Sequence, residues 1–306
     1  MKVAVTGATG TIGSAIVRAL LDRGDAVVAL SRDPDRAKSV LGEAVEAVAW
    51  RDPQSEPAPP EALADASAVI HLLGEPISQR WSDDVKRKIR DSRVLGTRNL
   101  VATLNETGPR LQTLVSQSAT GFYGARGSEG VDESAPAGDD FLAQVVVDWE
   151  AEAQKASDDA GLRVAICRTG VVLSPEGGAL ETMLPFFKMG VGGPVAGGKQ
   201  YVPWVHLDDV VGAFLFALDD EEAEGPINVT APRPATNKEL SKALGRAVGR
   251  PAFLPVPGLA VKTLYGEMAT IVTTGARAVP KKLEELGYEF KHPDLDEAMR
   301  AAVGGG

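Results

Sequence analysis

The chain has 306 residues, 44% of them apolar and 24% charged, with a formal net charge of −10, and is long enough to bury at least one large core. With no Lys/Arg run to offset it, that charge repels polyphosphate backbones and anionic bilayers, so neither nucleic acid nor a membrane is expected as a partner. The lone cysteine, Cys167, allows no internal disulfide, no metal site is visible, and Met1-Lys2 leads into an apolar strand without a signal-peptide pattern; a cytoplasmic protein is expected.

From Met1 to about Thr169, short β-branched runs alternate with longer amphipathic segments, which predicts a parallel sheet wrapped by helices. Strands are expected at Val3–Val5, Ala26–Leu30, Val45–Ala49, Ala68–Leu72, Thr113–Ser116 and Arg163–Arg168. Helices are expected at Ile12–Arg23, Asp83–Leu104 and Phe141–Ala160, and the polar run Arg51–Pro60 reads as a surface loop. After Gly170 the chain is punctuated by Gly and Pro, then patterned as a helix (Leu207–Leu218), a strand (Pro226–Val229) and a helix (Asn237–Val248). Pro251, Pro255 and Pro257 open a last section with helical patterns near Lys281–Leu286 and Leu295–Val303, a helical cap, and Gly304–Gly306 reads as a frayed end.

Between the first strand and the first helix lies Gly7-Ala8-Thr9-Gly10-Thr11-Ile12-Gly13, three glycines at three-residue spacing. Such a loop turns sharply, admits a pyrophosphate to its backbone and packs the helix onto the sheet, each of which a Cβ would obstruct. Gly7, Thr9, Gly10, Thr11, Ile12 and Gly13 are therefore expected to hold a dinucleotide on the helix N-terminus. The fold this predicts is α/β: a doubly wound parallel Rossmann sheet over residues 1–170, and a smaller mixed substrate-binding and cap region over 171–306, with some crossover of chain between them.

The second strand ends in Ser31-Arg32 where an NAD enzyme usually carries an acid for the ribose hydroxyls. Ser31 removes the repelling carboxylate and the planar fork of Arg32 suits a 2′-phosphate, so NADP(H) is favoured over NAD(H). The alternative makes Arg32 an exposed turn residue and Asp33 the ribose ligand.

Further blocks carry a resemblance: Leu72-Leu73-Gly74-Glu75-Pro76-Ile77, Ser92-Arg93-Val94-Leu95-Gly96-Thr97, Ser116-Gln117-Ser118-Ala119-Thr120-Gly121-Phe122-Tyr123-Gly124, Trp149-Glu150, Trp204-Val205-His206-Leu207-Asp208-Asp209 and Gly266-Glu267-Met268. In this order, over nearly the whole chain, they resemble the extended short-chain dehydrogenase/reductases, and within them the atypical epimerase-like branch of NAD-dependent epimerase/dehydratase proteins with a C-terminal cap. His71 departs from that branch, which carries Asn there. The resemblance implies further cofactor contacts at Leu72, Leu73, Gly74, Arg93 and Ser116, and at Thr169, Gly170 and Val171 beside the nicotinamide. It also implies a small-molecule substrate and, by analogy, a homodimer formed through Asp83–Leu104 and Phe141–Ala160.

Members of that superfamily use a Tyr as general acid/base, a Lys four residues on that lowers its pKa, and a Ser on the substrate oxygen. Ser118 matches the Ser, as a catalytic hydroxyl or as a strand end satisfying local backbone. By position in the pattern, Val146 replaces the Tyr, Glu150 the Lys, and Arg93 the Asn of many extended members, so the usual relay is missing. Arg93 and Glu150 are then either a structural ion pair or part of a different catalytic set. Tyr123 is the remaining phenol near Ser118, as an acid or as pocket packing. His206 is a proton donor near neutral pH or a hydrogen-bonded structural residue, with Asp208 or Asp209 capping the helix behind it. Lys199, Gln200, Trp204 and His206 are the candidate substrate-pocket residues. The expected function is an NADP(H)-dependent oxidoreductase or epimerase-like enzyme; the alternative is a non-catalytic NADP(H)-binding sensor.

Overall fold

The apolar runs of the sequence become strands of one parallel sheet, and the amphipathic segments become helices on its two faces. A computed structural model describes residues 1–108 and 110–304, so Gly305 and Gly306 of the expected frayed end lie outside the described residues. The first part runs β1 (Lys2–Thr6), α1 (Thr11–Asp22), β2 (Ala26–Ser31), α2 (Pro34–Leu41), β3 (Glu46–Ala49), α3 (Pro60–Leu63), β4 (Ala68–His71), α4 (Asp83–Leu104), β5 (Thr113–Ala119), a 3-10 turn (Thr120–Tyr123), β6 (Gly130–Val131), α5 (Phe141–Ala160) and β7 (Arg163–Thr169). The second runs β8 (Val171–Leu173), α6 (Gly178–Lys188), β9 (Tyr201–Val202), β10 (Trp204–His206), α7 (Leu207–Asp219), β11 (Gly225–Val229), β12 (Ala235–Thr236), α8 (Asn237–Ala247), α9 (Gly258–Tyr265), α10 (Ala269–Thr273), β13 (Arg277–Ala278), α11 (Lys281–Glu285) and α12 (Leu295–Gly304).

The main sheet has the order β11-β7-β5-β4-β1-β2-β3, and every pairing in it is parallel. Alternation fills both faces: Val3, Val5, Val27, Ala29 and Ile70 join one core beneath α1 and α7, while Ala4, Val28, Leu30 and Val69 join the other beneath α4 and α5. Burial on both sides is why these strands read as unbroken apolar runs. Strand order reverses between β1 and β4, and the crevice beyond their C-terminal ends is where such sheets take ligands.

Two elements beyond residue 170 return to this sheet. β11 pairs with β7 and α7 packs against α1, so the chain crosses the expected boundary. The second core gathers Leu180, Leu184, Phe187, Trp204, Leu240, Leu244 and Met299, with α12 packed on α8. The helical pattern near Leu295 packs into this core through Ala298, Met299 and Ala302.

Among the helices that sequence patterning missed are α2 and α6. The first buries only Ala37, too little to show a period, although Asp33 followed by Pro34 is a helix-start signal. The second carries Pro185 in its interior, which reads as a break.

The C-terminal segment is held through α7. The Asp209 carboxylate, 1% exposed, accepts the backbone N–H groups of Lys291 (2.6 Å) and His292 (2.9 Å). Removing it leaves two part-buried donors unpaired, so Asp209→Ala should lower unfolding free energy by about 2 kcal/mol, read from urea denaturation. An unchanged urea midpoint would show that Asp209 does not anchor the segment.

Candidate functional site

The crevice between β1 and β4 is built by glycines. Gly7 sits at φ +63, and a Cβ there would lie 2.7 Å from the Leu72 carbonyl oxygen. A Cβ on Gly13 would run into the Gly7 carbonyl, so α1 reaches the turn only without one. Gly10 is the N-cap of α1, with no side-chain cap and no acid in the first turn. The helix therefore begins as an uncompensated positive end, fitted to a diphosphate. Thr9 and Gly10 are exposed beside it, and the Thr11 hydroxyl donates to the Glu176 carbonyl (2.8 Å), which brings the loop after β8 across the same end.

At the end of β2, Asp33 is turned to α2, where its carboxylate accepts the Arg36 N–H (3.0 Å) as N-cap. The Ser31 hydroxyl closes the turn, accepting from the Asp33 N–H (3.1 Å) and donating to the Asp33 carbonyl (3.0 Å). Arg32 and Arg36 are both exposed. Arg36 was not singled out from the sequence; it follows from recognising α2, whose first turn carries it.

Beneath the glycine loop, the Thr6 hydroxyl lies 2.8 Å from His71 Nδ1 and accepts the Leu72 N–H (3.1 Å), while His71 Nε2 lies 2.9 Å from the Thr97 hydroxyl. Burial pushes the His71 pKa down to about 3, so the ring is a neutral bridge. Arg93 shapes the next turn. Its guanidinium lies against Gly74, donates to the Glu75 (3.0 Å) and Ile89 (3.1 Å) carbonyls and sits 5.3 Å from the Trp149 ring centroid. Burial lowers its pKa to about 10. Leu73 packs on Gly96, while Leu72 is half-buried against the core. Ser116 is buried on β5 opposite His71.

The expected Arg93–Glu150 pair does not form; Arg168 takes Glu150 instead. Arg168 Nε and Nη2 reach the two carboxylate oxygens at 2.8 Å each, and the Ser118 hydroxyl donates to Glu150 Oε1 at 2.5 Å. The reason is register: Ser118 and Arg168 are partners across β5 and β7, so both point at α5, whereas Arg93 is committed to the β4 turn. Val146, one turn before Glu150, is buried and apolar. An arginine at the end of the apolar run Val164–Cys167 of an interior strand was the available sequence signal, because such a charge must find a buried partner.

Tyr123 is fully buried, with its hydroxyl donating to Asn228 Oδ1 (2.7 Å) and accepting from Arg168 Nη1 (3.1 Å). Burial raises its pKa, and it does not open onto the crevice, so its candidacy as acid gives way to a structural role. Glu133, also raised by burial, accepts the Asn228 N–H (2.9 Å), and Phe122 stacks under the Arg168 guanidinium at 3.5 Å.

The remaining candidates are mostly consumed by backbone. Gly170 and Val171 spend their N–H groups on Val229 (3.0 Å) and Pro203 (2.7 Å), and the Thr169 hydroxyl donates to Cys167 (3.3 Å). Lys199 is exposed, but Gln200 donates to the Val195 (3.1 Å) and Val272 (2.7 Å) carbonyls. Trp204 is wholly buried and donates to Arg233 (3.0 Å). His206, not an aspartate, is the N-cap of α7, accepting the Asp208 N–H on Nδ1 (3.1 Å), and its ring lies tilted at 46° against His292 with the centroids 3.9 Å apart. Gln200, Trp204 and His206 are therefore framework, not pocket lining. His206, Asp208 and His292 bring ligand-type atoms within 4.8 Å of one another, with Lys291 Nζ on the Asp208 carboxylate (2.7 Å) and a backbone N–H on the His206 lone pair.

Residues 3–230 match the NAD dependent epimerase/dehydratase family and residues 256–302 match a domain of unknown function, DUF1731. The chain is 42% identical over 303 residues to epimerase family protein Mb2239 of Mycobacterium bovis, covering 98% of this chain and 97% of the relative. The human epimerase family protein SDR39U1 (isoform 2), solved with NADPH, superposes with a TM-score of 0.88 at 30% identity over 99% of both chains. UDP-glucuronic acid 4-epimerase of Bacillus cereus, solved with NAD, shares the fold at a TM-score of 0.80, 18% identity and coverage of 99% of this chain and 96% of that one.

His71 gives this site a pH signature. Its folded pKa of about 3 lies below the ordinary 6.5, so between those values the unfolded chain binds more protons and stability rises with pH. The contribution reaches about 1.4 kcal/mol per pH unit. Going from pH 7 to pH 5 should therefore cost the natural protein more stability than His71→Asn, measured by urea unfolding at each pH. Equal pH slopes for the two proteins would show that His71 is not held neutral.

Proposed function

Because the chain belongs to the NAD dependent epimerase/dehydratase family, we propose that it is an NADP(H)-dependent oxidoreductase or epimerase-like enzyme acting on a small molecule. The observation that carries this is the β2–α2 junction. Asp33 is turned to the helix as its cap, Ser31 closes the turn, and Arg32 and Arg36 are exposed at the place where a 2′-phosphate would sit. The cradle of Gly7, Gly10 and Gly13 fits the diphosphate of the same cofactor, and the NADPH in human SDR39U1 supports the choice. When bound, such a cofactor supplies a hydride donor or acceptor.

The catalytic part of the proposal rests on Ser118. Its proton points at Glu150, so its oxygen presents lone pairs and accepts a hydrogen bond from a substrate hydroxyl. As that hydroxyl is converted to a carbonyl, its proton moves to Ser118 Oγ while the serine proton moves to Glu150; Arg168 holds the carboxylate in place. A second reading, a non-catalytic NADP(H) sensor, is favoured by Ser118 being 1% exposed within a network whose members satisfy one another.

Calorimetric titration with NADPH and then NADH tests the cofactor. NADPH should bind at least about tenfold tighter, a margin of about 1.4 kcal/mol that Arg32→Ala and Arg36→Ala each reduce. Comparable NADH affinity would reject the assignment. The enzyme reading further expects deuterium from 4-deuterated NADPH to appear in a metabolite of an extract, and Ser118→Ala to prevent it; binding without transfer would favour the sensor.

A further inference from the structure

Away from the crevice, charge and apolar surface are unevenly spread. The whole chain has 42 acidic and 32 basic residues, yet from Lys238 to Lys262 the balance reverses: Lys238, Lys242, Arg246, Arg250 and Lys262 stand against Glu239 alone. At the C-terminal end of α8, Lys242, Arg246 and Arg250 line a groove of about 310 Å³. Arg246 also pairs with Asp296 (Nε to Oδ1 3.0 Å).

The rim of this groove is apolar and exposed. Gly245 packs against Ala252, and the next residue, Phe253, is 70% exposed. Leu259, at the start of α9, is 77% exposed and Met189, at the end of α6, is 66% exposed. These segments are continuous: Val195 and Val256 form a parallel bridge, and Gly193 abuts the Leu254 backbone. Large aliphatic and aromatic side chains gathered this way on a folded surface mark a partner.

We propose that this face docks onto an anionic lipid surface, with a headgroup phosphate in the Lys242–Arg250 groove and Phe253 and Leu259 inserted at the acyl boundary. The charge complementarity carries the choice of occupant. Basic side chains beside projecting apolar ones are what an anionic interface attracts and then buries. A two-fold pairing of this face with itself would bring like charges together, which argues against a second copy. No described helix is long and apolar enough to cross a membrane, so the contact is peripheral. The chain's net charge of −10 predicts repulsion only where that charge is evenly distributed, and over this segment it is not.

Co-sedimentation of the full chain with phosphatidylcholine vesicles, with and without phosphatidylglycerol, tests the proposal. Binding should require the anionic lipid and weaken as salt is raised. Phe253→Glu/Leu259→Glu and Lys242→Glu/Arg250→Glu should each lower the partition coefficient at least about tenfold, with circular dichroism melting unchanged to show that both variants fold. No binding to either vesicle, or equal binding to both, would overturn it. So would a concentration-dependent dimer in sedimentation velocity that the Phe253→Glu/Leu259→Glu variant abolishes, which assigns the face to a second copy.

Discussion

A guanidinium inside a protein needs a counter-charge and acceptors, and Arg168 shows how far that requirement reaches. It sits on β7, the strand between β5 and the edge strand β11, 3% exposed. Glu150 on α5 supplies the charge, Tyr123 and the Glu133 carbonyl take Nη1, and Phe122 covers the plane. One side chain therefore fixes the packing of α5 on the sheet, the course of the 3-10 turn after β5 and the docking of the segment around Glu133. Through Tyr123 and Asn228 it also reaches β11, the strand contributed by the second half of the chain. Loss of either partner would leave the other charge buried alone, a cost of about 3–5 kcal/mol.

The same constraint explains how the missing Tyr and Lys are accommodated. Val146 occupies the phenol's place and closes it with apolar surface, and Glu150 inverts the charge that a lysine would bring. An inverted charge needs a cation nearby, and the sheet provides it from β7, one strand over from Ser118. The substitutions are thus coupled: Glu at 150 is tolerable only with Arg at 168, and together they leave the Ser118 hydroxyl no other strong acceptor to choose.

Features fixed by local backbone geometry were legible in the sequence. Gly7, Gly10 and Gly13 announced their turn because no other residue fits there, and the apolar runs of β1, β2, β4, β5 and β7 announced a sheet covered on both faces. Features fixed by partner choice were not. Arg93 and Arg168 are both plausible partners for Glu150 on paper; only the β5–β7 register and the carbonyls around Gly74 separate them. Gln200, Trp204 and His206 failed as pocket residues for one shared reason. A side chain that can bind a ligand can equally satisfy a buried backbone group, and at Val272, Arg233 and Asp208 the chain supplies such groups first.

His71 joins the two halves of the problem. It lies at the reversal of strand order, beneath the glycine loop and the β4 turn, and it ties Thr6 of β1 to Thr97 of α4. An imidazole makes this bridge with one acceptor and one donor, which matches the two hydroxyls when Thr6 donates to Nδ1 and also receives the Leu72 N–H. The bridge needs a neutral ring, with one nitrogen donating and the other accepting, and burial enforces that charge state. The floor of the crevice is thereby tied by a group that carries no charge of its own, and the positive end of α1 faces an incoming anion with no buried imidazolium beneath it to alter its pull.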